Sequence, residues 1–369
     1  MTTDHIVMPA RGVLAIAAYQ AGAQTAPDIA DPARLASNEA ALGPSLKVVE
    51  ALRQASSRID RYPDPSCGAL RLAIAKAYGL DADNIVCGSG SEALIHVAMR
   101  SYVSAGDEVV LPARAFSVGR IAAQSCGADI VAVPERDDLE IDVDRILAAA
   151  TRRTKLIYLP NPNNPTGVVV SATDIRRLRA GLPDHAMLFL DAAYREYVEE
   201  PDYSSGDELV GTDRGNVVVS STFSKIYALA GLRLGWVHAS RDIVAILNRV
   251  RPAFGVSLPA QIAAIAALND VEHVAREKAV IRAQRARMIA ALTALGFRTG
   301  RSPANFVPVH VPDRLGDAAE LNAFLTRRGV LVRPAASYGL PRMLRVTVGN
   351  AHDTGRALDG FADWARRAS

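Results

Sequence analysis

The sequence predicts an α/β protein: a large α/β/α domain built on a mostly parallel sheet, with a smaller α+β domain after it. Three observations carry this reading. Short β-rich runs alternate with helix-like segments through the middle of the chain; the pattern changes near Val256; and the unusual polar residues fall just past the carboxyl ends of the predicted strands. Such alternation implies a sheet covered by helices on its faces. At 369 residues, 49% hydrophobic and 22% charged, the chain is long enough for two domains, because single cores rarely outgrow about 250–300 residues.

The predicted strands run in order Asn84–Cys87, Glu108–Leu111, Ile130–Val133, Lys155–Leu159, Met187–Leu190, Asn216–Ser220 and Leu234–His238. Beyond Val256 the spacing predicts long helices over Ala260–Leu268 and Val271–Leu295, then strands near Phe306–Val311 and Leu344–Val348. The first forty residues lack periodicity and are expected to pack as an arm or to join the smaller domain. The expected division is an arm over 1–40, a large domain over 41–255 and a small domain over 256–369. The densest basic stretch, Ala275 to Leu292, reads as the solvated face of an amphipathic helix.

Composition excludes several classes. The net charge is +3, with basic and acidic residues interspersed rather than blocked, so no nucleic-acid partner is expected. No 18-residue apolar run occurs and Met1 to Ala10 lacks a signal pattern, which predicts no membrane partner and a cytoplasmic protein. Cys67, Cys87 and Cys126 form no C-x-x-C pair and the histidines are scattered, so no metal site is expected.

Four strand-end loops hold the chemistry. The first strand runs into Gly88-Ser89-Gly90-Ser91, whose backbone amides at a helix start suit a phosphate. Alone this is weak: with Ala93 it also fits a dinucleotide fingerprint, but the second strand is followed by Pro112-Ala113-Arg114 rather than the acidic residue a ribose needs. Asn161 to Gly167 is either an ordinary turn or a preset amide geometry, and Asp191 is either a helix cap or a carboxylate that keeps a heterocyclic nitrogen protonated. Tyr194 would share a face with Asp191 if that segment were helical.

The fourth loop holds Thr222-Phe223-Ser224-Lys225, with one of only five lysines in an arginine-rich chain. Lysine can lose its proton and attack a carbonyl, whereas arginine effectively cannot. Arg233, eight residues on, is placed to bind a phosphate on the same ligand. Together they suggest a Schiff-base lysine beside an anion site. Ligands of open α/β sheets bind at the carboxyl ends of strands, so the four loops are expected to form one site.

Asn-Pro-Asn-Asn-Pro-Thr-Gly at 161, Asp-Ala-Ala-Tyr at 191 and Thr-Phe-Ser-Lys-Ile-Tyr-Ala-Leu-Ala-Gly-Leu-Arg-Leu-Gly at 222 resemble the fold-type I pyridoxal-phosphate aminotransferases, class II, and most closely the histidinol-phosphate aminotransferase family. Leu35 to Glu39, Arg61 to Pro65, Ala304 to Val307 and Leu344 to Gly349 match in family order, so the resemblance covers nearly the whole chain.

The resemblance implies a fold-type I transferase that uses pyridoxal 5'-phosphate as cofactor. It makes Lys225 the Schiff-base anchor and proton carrier, Asp191 the partner of the ring nitrogen, and Asn164 and Tyr194 the partners of the ring oxygen. It assigns the cofactor phosphate to Gly90, Ser91, Glu92, Thr222, Ser224 and Arg233, and the ring-stacking aromatic to Phe116. Tyr62 would reach the phosphate of a second subunit, implying a homodimer with shared active sites. Tyr19, Asn38, Arg333 and Arg345 would hold the substrate anion, from histidinol phosphate or from the 2-oxo acid 2-oxoglutarate. A transaminase of aromatic or other amino acids and a decarboxylase of phosphorylated amino acids share the same core residues.

Four segments depart from the family pattern. Ala40-Ala41 replace Asn-Pro, Ala192 replaces Glu, Ser91-Glu92-Ala93 replace Ser-Asp-Glu, and Gly119 stands where a tyrosine is usual. The last two lie nearer the ligands and bear on substrate choice rather than on cofactor or reaction type.

Overall fold

The computed structural model describes residues 7–10, 12–18, 21–26, 28–212 and 215–368. Its strands are β1 Ala33–Arg34, β2 Ile85–Gly88, β3 Glu108–Pro112, β4 Asp129–Val133, β5 Thr154–Pro160, β6 Met187–Asp191, β7 Val217–Thr222, β8 Gly235–Ala239, β9 Arg298–Thr299, β10 Phe306–His310, β11 Val330–Leu331, β12 Arg333–Pro334 and β13 Met343–Thr347. A seven-stranded sheet has the order β2-β8-β7-β6-β5-β3-β4, all neighbours parallel except β8, which runs antiparallel to both β2 and β7. Each predicted central strand is present, within a residue or two at its ends.

The sheet is buried on both faces, and period-two alternation sorts its side chains. Leu156, Tyr158, Met187, Phe189 and Val218 enter one core, while Ile157, Leu159, Leu188, Leu190, Val217 and Val219 enter the other. Helices Ser91–Tyr102, Ser117–Ser125 and Arg241–Val250 cover the first face; Val143–Ala149 and Ala172–Gly181 cover the second. Asp142 and Ser171 cap the latter two by accepting from the amides of Arg145 and Asp174.

Beyond the sheet, β12-β13-β10-β9 form an antiparallel sheet of four strands. Helices Ala318–Arg327 and Ala351–Ala368, which the sequence reading did not mark, pack around it. The arm residues Ala33–Arg34 add parallel to Val330–Leu331. Ser257 caps Leu258–Leu268 at the amide of Ala260, and that helix packs on Leu46–Ala55 and Gly68–Tyr78. The basic helix Val271–Ala294 mostly carries its charges outward, but Glu277 is fully buried and accepts from the amides of Ala41 and Leu42, and the half-buried Arg285 donates to the Ala304 carbonyl at 2.9 Å. Among the described residues, no helix is long and apolar enough to cross a membrane and no cluster of three or more metal-ligating side chains occurs.

Candidate active site

The carboxyl ends of β5, β6 and β7 open into a cavity of about 440 Å³, closed from above by the arm and by β12 and β13. Lys225 lies in the loop after β7 and lines it, partly exposed. Its Nζ donates to the Ser37 carbonyl at 3.0 Å. Burial, then the positive charges of Arg345 and Arg233, push its ammonium from 10.5 down to about 7, against the opposing pull of Glu39 and Asp191. The amine is therefore substantially neutral, and nucleophilic, at physiological pH.

Asp191 ends β6 at the cavity wall. Tyr158 Oη donates to its Oδ2 and Ser220 Oγ to its Oδ1, each at 2.8 Å. Desolvation raises this carboxyl and the two hydrogen bonds oppose the rise. It caps no helix. Residues 191–194 are not helical either; Tyr194 reaches the cavity from a turn that leads into a single 3₁₀ turn at Arg195–Tyr197. Its hydroxyl accepts from Asn38 Nδ2 at 2.8 Å, and burial pushes its phenol up to about 12, so it stays protonated.

Asn38 holds a left-handed backbone at φ 55°. Its amide donates to Thr347 Oγ1 at 2.9 Å, that hydroxyl donates back to Asn38 Oδ1, and Asn305 Nδ2 donates to its carbonyl at 3.0 Å. Such backing holds a conformation that asparagine tolerates better than most residues. Arg345 Nη1 donates to Asn164 Oδ1 at 2.5 Å, and Arg333 stands opposite Arg345 in the β12–β13 register; both arginines line the cavity.

The other end of the cavity is built for an anion. Ser91 and Glu92 open helix Ser91–Tyr102 and line the cavity together with Thr222, Ser224 and Arg233. Gly90 does not line the space but permits it: at φ 92° it turns the chain, and a Cβ there would stand 3.0 Å from Arg233 Nη2. Gly235 is needed just as locally, since its Cβ would lie 2.3 Å from the Ser91 nitrogen. Free amides of the helix start and a guanidinium suit a phosphate dianion. Phe116, at the start of Ser117–Ser125, lines the cavity wall.

Most residues expected from sequence thus meet in one cavity. Tyr62 does not; it is 82% exposed, away from its own chain's cavity, with its ring 4.6 Å from that of Phe254. Tyr19 lies outside the described residues. Sequence reasoning missed Ser37 and Thr347, whose contacts bridge distant parts of the chain, and Tyr158 and Ser220, which strand periodicity alone places on the face of Asp191.

An amine that titrates near pH 7, a buried carboxylate and an anion cradle in one cavity at a sheet's carboxyl edge fit pyridoxal phosphate, and fold and site together define a pyridoxal-phosphate-dependent transaminase. The chain belongs to the aminotransferase class I and II family, whose profile matches residues 30–361, and within it to the histidinol-phosphate aminotransferase family. It is 43% identical over 368 residues to the histidinol-phosphate aminotransferase of Maricaulis maris, covering 98% of this chain and 99% of the relative. Identity to that of Rhodopseudomonas palustris is 42% over 362 residues, covering 97% and 98%. The crystal structure of histidinol-phosphate aminotransferase from Sinorhizobium meliloti in complex with pyridoxal-5'-phosphate superposes with a TM-score of 0.87 at 29% identity, over 92% of each chain.

Proposed function

We propose that this chain transfers the amino group of histidinol phosphate to 2-oxoglutarate, as a cytoplasmic homodimer. The observation that carries the reading is that Lys225 lines one cavity together with Ser91 and Arg233 and with Arg333 and Arg345, and that both Arg233 and Arg345 act on its charge. The first pair takes the cofactor phosphate; the second takes the substrate anion. The relatives' names support the choice of histidinol phosphate.

Bound pyridoxal phosphate supplies a carbonyl carbon for the amine and a ring that accepts an electron pair. Lys225 anchors it there. Released by the substrate amine, Lys225 Nζ would take the proton from the substrate α-carbon and deliver it to the former carbonyl carbon of the cofactor. Asp191 pairs with the protonated ring nitrogen, and Asn164 and Tyr194 hold the ring oxygen. Gly90, Ser91, Glu92, Thr222, Ser224 and Arg233 cradle the phosphate, and Phe116 covers the ring. Asn38, Arg333, Arg345 and Tyr19 bind substrate.

Tyr62 completes the phosphate cradle of a second subunit. The exposure of Leu46, Ile59, Tyr62 and Leu72, all within one stretch of chain, supports such an interface. The pairing of Ala33–Arg34 with Val330–Leu331 supports assigning residues 1–40 in part to the smaller domain. The packing of Leu258–Leu268 on Leu46–Ala55 favours a boundary with the domain 41–255 later than residue 256.

A panel of half-reactions tests the substrate. Cofactor-loaded protein is mixed in turn with histidinol phosphate, phenylalanine, tyrosine and phosphothreonine, and conversion to the pyridoxamine form is followed by absorbance. Failure with histidinol phosphate overturns the reading; carbon dioxide release moves it to a decarboxylase. Light scattering on the eluting peak must show twice the 39.3 kDa chain mass.

A further inference from the structure

Tyr158 does not line the cavity, yet it touches the residue on which the cofactor ring depends. In the β5–β6 register Tyr158 stands opposite Phe189, and Pro160 opposite Asp191. Alternation puts Tyr158, Phe189 and Asp191 on one face of the sheet, and the length of a tyrosine covers the offset of one side-chain pair. Its ring is fully buried and its hydroxyl sits 2.8 Å from Asp191 Oδ2.

Room for that ring comes from Gly119. A Cβ at Gly119 would lie 2.2 Å from Tyr158 Cδ1 and 2.5 Å from Cε1, so no larger residue coexists with this tyrosine position. Gly119 is the departure from the family pattern noted in the sequence, and the space that a side chain there would fill is taken by Tyr158. The pair is a coupled feature of this chain.

We propose that Tyr158, admitted by Gly119, is a positioning residue for Asp191: its hydrogen bond keeps the carboxylate anionic and fixed at the cavity wall, where it holds the cofactor's ring nitrogen protonated. This rests on the cofactor reading above. The titratable groups acting on Asp191 and Tyr158 are Lys225 from the loop after β7, Tyr194 from the turn after β6, and Tyr338. The other donor, Ser220 of β7, does not titrate. Burial holds the Tyr158 phenol well above its usual range, so it remains a donor at every working pH.

The test uses wild-type protein and the Tyr158→Phe variant, each loaded with pyridoxal phosphate carrying ¹⁵N in the ring. The ¹⁵N shift is followed against pH, and the cofactor Kd is measured by equilibrium dialysis. In wild type the nitrogen stays protonated through the neutral range; in Tyr158→Phe it titrates within that range and Kd rises about tenfold, the loss of one hydrogen bond to a charged group. Gly119→Ala, which displaces the ring and leaves the phenol intact, shifts the nitrogen in the same direction, and the double variant goes no further than the larger single effect. If Tyr158→Phe does not fold, Gly119→Ala carries the readout alone. A wild-type ¹⁵N titration in the loaded variant, with only urea stability lowered, overturns the proposal. Wild-type protein that takes up no cofactor overturns the cofactor reading instead.

Discussion

Lys225 Nζ donates to the carbonyl of Ser37 at 3.0 Å, so the amine in the cavity is held by backbone 188 positions earlier in the sequence. The arm is therefore part of the active site. The same bond spends a donor that a free lysine would offer to water, and it holds Nζ inside the cavity where burial lowers its proton affinity.

Cofactor uptake is expected to follow the neutral amine. With Lys225 titrating at about 7 rather than 10.5, the rate of pyridoxal phosphate incorporation into cofactor-free protein rises with pH through about 7 and then levels. Stopped-flow absorbance across pH measures it. A rate still climbing at pH 10 contradicts the lowered value.

The same shift has a stability consequence of opposite sense to an ordinary salt bridge. Between pH 7 and 10.5 the unfolded chain binds the Lys225 proton and the folded chain does not, so this group makes stability rise with pH over that window. Below about 7 both states are charged and the folded state bears the full penalty. Lys225→Met should therefore stabilise the cofactor-free protein in urea by roughly 3 kcal/mol at pH 6, with the gain fading toward pH 10.5. Equal stability at pH 6 argues against a desolvated amine.

Arg345 makes two different bonds, to Asn164 Oδ1 and to the Ala36 carbonyl, while lining the cavity. Lysine cannot reproduce that fork. Arg345→Lys is expected to raise KM for the amino donor and for 2-oxoglutarate by about 10- to 100-fold, with a smaller change in kcat. Steady-state kinetics with each substrate varied separates the two; an unchanged KM for both removes Arg345 from the substrate site.

Gly235 admits no side chain beside the Ser91 nitrogen. Gly235→Ala must push β8 away from the helix start, costing roughly 1–3 kcal/mol of stability and loosening the phosphate cradle. Urea unfolding together with cofactor release on dilution checks both effects. Loss of stability with unaltered release would separate strand packing from phosphate binding.

Much of the site was legible because its residues lie in the loops that end strands. Asp191, Asn164 and Lys225 each follow a run whose β character is written in a few adjacent residues. Gly90 was legible for a similar local reason, since a tight turn into a helix needs its positive φ. Helix Ala351–Ala368 was less legible: its apolar residues recur at helical spacing, but Gly355 and Gly360 inside it lower its helix propensity.

By itself the sequence determined the α/β alternation, a Schiff-base lysine at 225 and the anion character of the loop at Ser91, all consequences of local periodicity and residue type, while the identity of the cofactor came from the resemblance of its motifs to a known family. Only the tertiary structure decided that β8 runs antiparallel, that Ser37 receives the Lys225 amine, that Arg345 bridges to Asn164, and that Tyr158 occupies the space left by Gly119. Those pairings join positions far apart along the chain. They depend on sheet order, register and close packing, which no short stretch of sequence contains.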